Sequence, residues 1–187
     1  MDVFVEDKDF KNHNQALEKG EYLNCNFSNC DFSNLDFSHF LFDNCTFTDC
    51  NLSSVKLLNT SLQIVEFINS KIMGVVFQNV NTFLLDISFD NCILDFSSFY
   101  DLKLPKTNFL NSTLNEVDFS NTVLIGSSFD NSFLRRSVFF NTDLRKVDFR
   151  LAKEFSLDPE HNKIKEAKFN RLDLASLLEK YEILIDN

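Results

Sequence analysis

The sequence predicts an all-β solenoid of four-sided coils, about 20 residues each, followed by a short C-terminal α-helix. Three observations predict it. A large apolar residue recurs at every fifth position, the residue two before it is usually small, and side chains 20 positions apart match in type. A helix would show a period of 3.6 and an uninterrupted strand a period of two, so neither accounts for a period of five.

The repeat is the element to establish first, because a fixed internal period decides the architecture. From Tyr22 the apolar positions run Phe27, Phe32, Phe37, Phe42, Phe47, Leu52, Leu57, Leu62, Phe67, Ile72 and Phe77. After a slip of two residues near Val80 and Asn81 they resume at Leu84 and continue through Phe89, Leu94 and Phe99 to Phe149, 26 repeats in all. Two residues earlier stand Gly20, Cys25, Cys30, Cys45, Cys50, Thr60 and Ser70. Residues two apart on an extended stretch share a side, so the small and the large residue both point inward. The last two residues of each five must turn a corner. The composition agrees, since 23 Phe with no Trp, three Gly and two Pro implies one structural position that keeps requiring Phe.

The number of corners follows from the columns. A 15-residue coil would mix them, as in Phe27, Phe42, Leu57, Ile72. A 20-residue coil, allowing for the slip, stacks Phe27, Phe47, Phe67, Phe89, Phe109, Phe129 and Phe149. The opposite side reads Phe37, Leu57, Phe77, Phe99, Phe119, Phe139, and the other two sides turn to Leu after the first coil. Ile164 and Phe169 lie 20 beyond Leu144 and Phe149, so a last coil stays in register.

The solenoid so read spans residues 22–171. Residues 1–21 break the repeat and are expected to cap its N-terminal end. Residues 172–187 form a helix and tail: LDLASLLEKY has helical apolar spacing at Leu174, Leu177, Leu178 and Tyr181, and EILI at 182–185 could add a strand.

The motif of a small residue, Asp or Asn, Leu or Phe and two variable residues appears as CNFSN (25–29), CDFSN (30–34), CNLSS (50–54), VDFSN (117–121) and VDFRL (147–151). It resembles the pentapeptide-repeat superfamily along the whole of the repeat, from Tyr22 to Phe149. DPEHNKIKEAKF (158–169) and LLEKYEILI (177–185) are similar to the C-terminal end of cytoplasmic bacterial members, the Qnr-type quinolone-resistance proteins and the related microcin immunity protein. The resemblance implies a right-handed quadrilateral β-helix that dimerises through its C-terminal helix. It also implies a function as a DNA mimic that binds DNA gyrase or topoisomerase IV and protects against quinolones or a gyrase-directed toxin. Two features depart from that picture. Residues 23–101 carry nine acidic and two basic side chains, whereas residues 102–149 carry five acidic and six basic. No long loop interrupts the repeat.

Chemistry-bearing residues form no catalytic constellation. Cys25, Cys30, Cys45, Cys50 and Cys92 all occupy the small inward slot, with Cys25 expected beneath Cys45 and Cys30 beneath Cys50, and their spacing matches no zinc signature. His13, His39 and His161 are scattered. No cofactor, metal or enzyme activity is expected. The net charge of −10 argues against direct binding to nucleic acid or to an anionic membrane. The N-terminus has no signal-peptide pattern, and no apolar run reaches the roughly 18 residues of a membrane helix, so a cytoplasmic protein is expected.

Two sets of residues are candidate contact surfaces. Outward carboxylates at Asp31, Asp36, Asp43, Asp49, Glu66, Asp86, Asp90, Asp95 and Asp101 would suit a partner with a basic surface, or serve solubility alone. Leu174, Leu177, Leu178, Tyr181, Ile183 and Ile185 exceed what capping one coil needs and point to a homodimer. Outward apolar residues also fall on two sides: Leu41, Phe83, Leu85, Val123 and Ile125 on one, Val76, Tyr100, Val138 and Phe140 on another. A protein-binding or scaffold module needs no further assumption; the topoisomerase-binding mimic is the alternative.

Overall fold

The computed structural model describes residues 2–184 as a β-solenoid in which every named strand pair is parallel. One sheet stacks β1 (Val3–Glu6), β3 (Gly20–Leu23), β5 (Leu41–Asp43) and β7 (Ser61–Gln63). The other stacks β2 (Asp9–Lys11), β4 (Asn26–Ser28), β6 (Thr46–Thr48), β8 (Val65–Ile68), β9 (Ile87–Asp90) and β10 (Phe109–Leu110). The two remaining sides, and the later coils of all four, are joined by single parallel bridges such as Asp31 with Asn51 and Thr113 with Phe133. The sides are termed the first to fourth faces, carrying the columns of Phe27, Phe32, Phe37 and Phe42.

The four-sided register expected from the columns holds on both sides of one interruption. Phe27 lies beside Phe47 and Phe42 beside Leu62 before it, and Asp118 bridges to Val138 after it. The inward Phe column of the first face is a continuous ring stack. Phe10, Phe27, Phe47, Phe67, Phe89, Phe109, Phe129, Phe149 and Phe169 follow one another with centroids 4.6–5.4 Å apart. From Phe77 to Phe139 a second stack on the third face meets the first edge-on, as Phe99 does Phe109 at 5.5 Å. Offset and edge-to-face pairs add to the burial of each ring. The coil cross-section is therefore filled by side chains with no lumen, which is why a single position keeps demanding Phe or Leu.

The small slot has a polar function as well as a size limit. Ser132 Oγ donates to the Phe109 carbonyl at 2.7 Å and accepts from the Ser112 amide at 2.9 Å. Thr60, Ser70, Ser97, Thr122, Ser127 and Thr142 likewise donate to carbonyls of the preceding coil. Each such hydroxyl bonds backbone groups that a buried corner would otherwise leave unpaired. The cysteines substitute weakly, as in Cys45 Sγ to the Tyr22 carbonyl at 3.2 Å.

Corners turn by a residue in the left-handed region two positions after the large apolar one. Among the described residues twelve of these are Asn, the residue type besides Gly that best tolerates positive φ. Their amides form ladders between coils, Asn44 to Asn24 at 2.9 Å and Asn141 to Asn121 at 2.7 Å. This conformational demand explains the abundance of Asn at the corners.

The insertion corrects three expectations. The two extra residues enter between Asn81, still in register with Ser61, and Ile87, paired with Val65, so the slip lies a few residues beyond Val80–Asn81. Leu84 does not resume the inward column. It sits exposed at a corner with φ 55°, while Leu85, expected outward, packs partly against the core. Two adjacent leucines offered the inward position, and the geometry of the widened turn selects the second.

Residues 1–21 do more than cap. Val3–Glu6 and Asp9–Lys11 extend both sheets by one shorter coil, in which Val3 pairs with Gly20 and Phe10 with Phe27, and Val3, Val5 and Phe10 pack against the core. Gly20 is required there, because a Cβ would lie 2.0 Å from the Val3 carbonyl oxygen.

At the other end the helix is not α. Arg171–Leu177 and Glu179–Tyr181 are 3₁₀ turns, with bonds such as Leu178 N to Ala175 O at 3.0 Å, and the Asn170 side chain caps the first by accepting from Leu172 N. Only Leu177 of this segment reaches the core, and so short a stretch has too little burial to hold a full α-helix. Ile183 and Leu184 form no strand, and Ile185 lies outside the described residues.

Candidate interaction surfaces

Alternation of inward and outward residues leaves each face with two outward columns and a corner column. The nine carboxylates singled out above are distributed by this geometry over all four faces. Asp49, Glu66 and Asp90 fall on the first face and its trailing corner, Asp31 and Asp95 on the second, Asp36 and Asp101 on the third, and Asp43 and Asp86 on the fourth. They are exposed or partly exposed, but they do not gather into one stripe. Further along, carboxylates are neutralised locally. Asp143 receives Arg145 at 2.7 and 2.8 Å, and Asp148 receives Arg150 at 2.7 Å, which holds both carboxyls below the usual range.

The C-terminal turns are fastened to the last coil by charge. Lys180 Nζ lies 2.9 Å from Asp158 and 2.6 Å from Glu160, and Tyr181 donates to Glu160 at 2.8 Å. Ser156 also donates to Glu179. The Lys180 ammonium, with help from the Glu160 amide and His161, holds the Asp158 carboxyl at about 2. Leu177 is spent on the core, whereas Leu174, Leu178, Tyr181 and Ile183 remain exposed or nearly so. Of the expected dimer contacts these four share one end of the rod.

The insertion is the second apolar concentration. Phe83 is 69% exposed, Leu84 62% and Ile64 56%, and Leu84, Leu85, Ile64 and Pro105 line a shallow concavity on the fourth face. Ile64 is also a β-branched residue at φ 53°, a conformation such side chains rarely adopt. Phe83 stands out in the sequence but Ile64 does not, because nothing in a single five-residue period marks a corner residue as strained. On the third face Val76, Tyr100, Val138 and Phe140 are exposed as expected, interspersed with Ser98, Asp118 and Ser120.

The cysteines are free and buried, and burial pushes the Cys45 and Cys50 thiols up to about 12 and Cys92 to about 11. A thiol so shifted is neutral and unreactive at neutral pH. Among the described residues no three His, Cys, Asp or Glu side chains come together as metal ligands, and no helix is long and apolar enough to cross a membrane.

The family models for a pentapeptide repeat region and for eight-copy pentapeptide repeats match residues 21–84 and, in two overlapping stretches, 92–129 and 118–153. The chain belongs to the pentapeptide-repeat superfamily. Solved pentapeptide-repeat structures share its fold. A trypsin-treated variant of QnrB1, a plasmid-mediated fluoroquinolone resistance protein, superposes with a TM-score of 0.60 at 17% identity, covering 98% of this chain and 99% of that one. HetL, a pentapeptide-repeat protein involved in heterocyst differentiation regulation in the cyanobacterium Nostoc sp. strain PCC 7120, gives 0.67 at 11% identity over 89% and 86%. At these identities the likeness shows the fold alone. Comparison with curated protein sequences gives no significant match.

Proposed function

We propose that this pentapeptide-repeat protein is a non-catalytic, cytoplasmic protein-binding module that works as a dimer. The observation carrying the reading is the placement of exposed apolar side chains where the coil geometry has no use for them. Phe83 and Leu84 on the insertion, and Leu174, Leu178, Tyr181 and Ile183 on the C-terminal turns, are concentrated patches, whereas other exposed apolar side chains such as Val76, Tyr100 and Phe140 are interspersed with polar residues. Apolar surface of this kind marks contact sites on soluble proteins. Immobilised protein tests the reading by capture from lysate, with the captured protein then titrated against wild type and against Phe83→Asp/Leu84→Asp and Leu178→Asp/Tyr181→Asp. Saturable binding lost in one of these variants supports the module; binding unaffected by both contradicts it.

A second reading, a DNA mimic that binds gyrase or topoisomerase IV, draws on the structural likeness to QnrB1 and on the net charge of −10. The distribution of charge weighs against it. A mimic of duplex DNA needs negative charge continuous along one side, and here carboxylates occupy all four faces while the fourth face turns basic over its second half.

A further inference from the structure

The fourth face has a pattern that the other three lack. Its first outward column runs Phe4, Glu21, Leu41, Ser61, Asn81, Lys103, Val123, Asp143 and Lys163, nine levels with Asn81 the fifth. The insertion, with Phe83, Leu84, Leu85 and Asp86, thus sits at the midpoint of the face. On this face and its trailing corner the four levels before the midpoint carry Glu6, Asp7, Glu21 and Asp43, and no basic side chain. The four levels after it carry Lys103, Lys106, Arg145, Lys146, Lys163 and Lys165 against Asp143 and Glu166. The face is −4 on one side of a mainly apolar centre and +4 on the other.

Resting on the reading of the protein as a dimer, we propose that the fourth face binds a second copy of this chain, antiparallel, with the two-fold axis through the insertion. In an isologous pair each residue of the patch meets the patch itself under rotation, so a face that is opposite in charge about its centre is complementary to its own copy. Level by level, Glu6 and Asp7 meet the level of Lys163, Lys165 and Glu166, which is net positive. Glu21 meets the level of Asp143, Arg145 and Lys146, which is net positive, and Leu41 meets Val123 and Ile125. Ile64 meets Lys106, and Phe83 and Leu84 meet their own copies at the axis. A parallel pairing would instead set Glu6, Asp7 and Glu21 against themselves. Eight coil spacings of about 4.8 Å by one side of up to ~16 Å give on the order of 600 Å² per partner, at the lower end of specific interfaces.

The C-terminal turns are the competing interface. Two separate isologous surfaces on one rod would propagate an open chain rather than close a pair, so a simple dimer uses one of them. The C-terminal patch has no comparable division of charge about a centre, because Lys180 is held between Asp158 and Glu160 and Glu179 accepts from Ser156, whereas on the fourth face only Arg145 and Lys146 are paired within the chain among the described residues, with Asp143 and Glu166.

A charge-swap pair tests the assignment on the full chain by sedimentation velocity. The acidic-end variant is Glu6→Lys with Glu21→Lys, and the basic-end variant is Lys146→Glu with Lys165→Glu. All four side chains are exposed and lie outside the core, and far-UV circular dichroism checks that the fold is retained. Each variant alone places like charges at both ends of the antiparallel pair and should be monomeric. Mixed one to one, the variants restore opposite charges at both ends and should sediment as a heterodimer. Dimers unaffected by either swap, but lost in Leu178→Asp, would overturn this interface in favour of the C-terminal one. A wild-type protein monomeric at about 100 µM, above the micromolar range an interface of this size reaches, would overturn the dimer itself while leaving partner binding intact.

Discussion

Phe109→Ala is the perturbation that most sharply tests the ring stack as the source of stability. Phe109 is fully buried. Its ring lies 5.3 Å from Phe89 and 5.1 Å from Phe129 in stacked geometry, with Phe99 and Phe119 edge-on at 5.5 and 5.6 Å. Emptying such a site costs about 3–5 kcal/mol, and the loss of aromatic pairs worth about 0.5–1.5 kcal/mol each places this one at the upper end. Phe109→Leu should cost about 1–2 kcal/mol, since Leu114 and Leu124 fill the equivalent position on the neighbouring faces with no exposure. Phe10→Ala, at the partly covered end with one stacked neighbour at 4.8 Å, should cost about 1–2 kcal/mol as well. Urea unfolding followed by circular dichroism measures all three, with the slope compared across variants because repeat arrays can lose two-state behaviour. Equal costs for Phe10→Ala and Phe109→Ala, or a Phe109→Ala cost below about 1 kcal/mol, would refute a core stabilised by continuous stacking.

Other outcomes follow from single positions. Ile64→Asn should stabilise the fold by about 1 kcal/mol in thermal unfolding, by relieving a β-branched residue at φ 53° and placing an amide above Asn44; destabilisation would mean that Ile64 packs more than its exposure suggests. Ser132→Ala should cost about 1–3 kcal/mol, because it strands the Phe109 carbonyl and the Ser112 amide, while Ser132→Cys should cost less. The Asp158 carboxyl, held at about 2 when folded and near 4 when free, contributes docking of the C-terminal turns that is present above about pH 4 and lost as pH falls toward 2. Pepsin cleavage within residues 171–184 should therefore rise between pH 4 and pH 2 ahead of cleavage in the coils, and Lys180→Ala should remove that pH dependence.

The inward half of this molecule was legible from the sequence because each coil repeats one physical demand. Period five placed inward every large apolar position it marked from Tyr22 to Phe149 except Leu84, and the columns identified four sides without any structure. What was not legible had local causes. The choice between Leu84 and Leu85 depends on how a widened turn closes, and both residues satisfy the same pattern. The spacing of Leu174, Leu177, Leu178 and Tyr181 fits a period of three as well as 3.6, so 3₁₀ and α turns look alike. Val3, Val5 and Phe10 belong to a shortened coil, where Val3 pairs with Gly20 and Phe10 with Phe27, and that shortening breaks the period that reveals the others. The surface was harder to read. Nine carboxylates that are near neighbours along the chain are sent to four faces by the corners between them, and the polarity of the fourth face emerges only when coils are stacked.

The most direct test of a binding module, as opposed to a DNA mimic, is a supercoiling assay of purified gyrase titrated with this protein, with and without a quinolone. A rod whose negative charge is divided among four faces, with one face basic over half its length, should leave supercoiling and drug inhibition unchanged at tens of micromolar. Inhibition or drug protection at low micromolar concentration, abolished by charge reversal at Asp49, Glu66 and Asp90, would contradict that account and establish the acidic first face as a topoisomerase ligand.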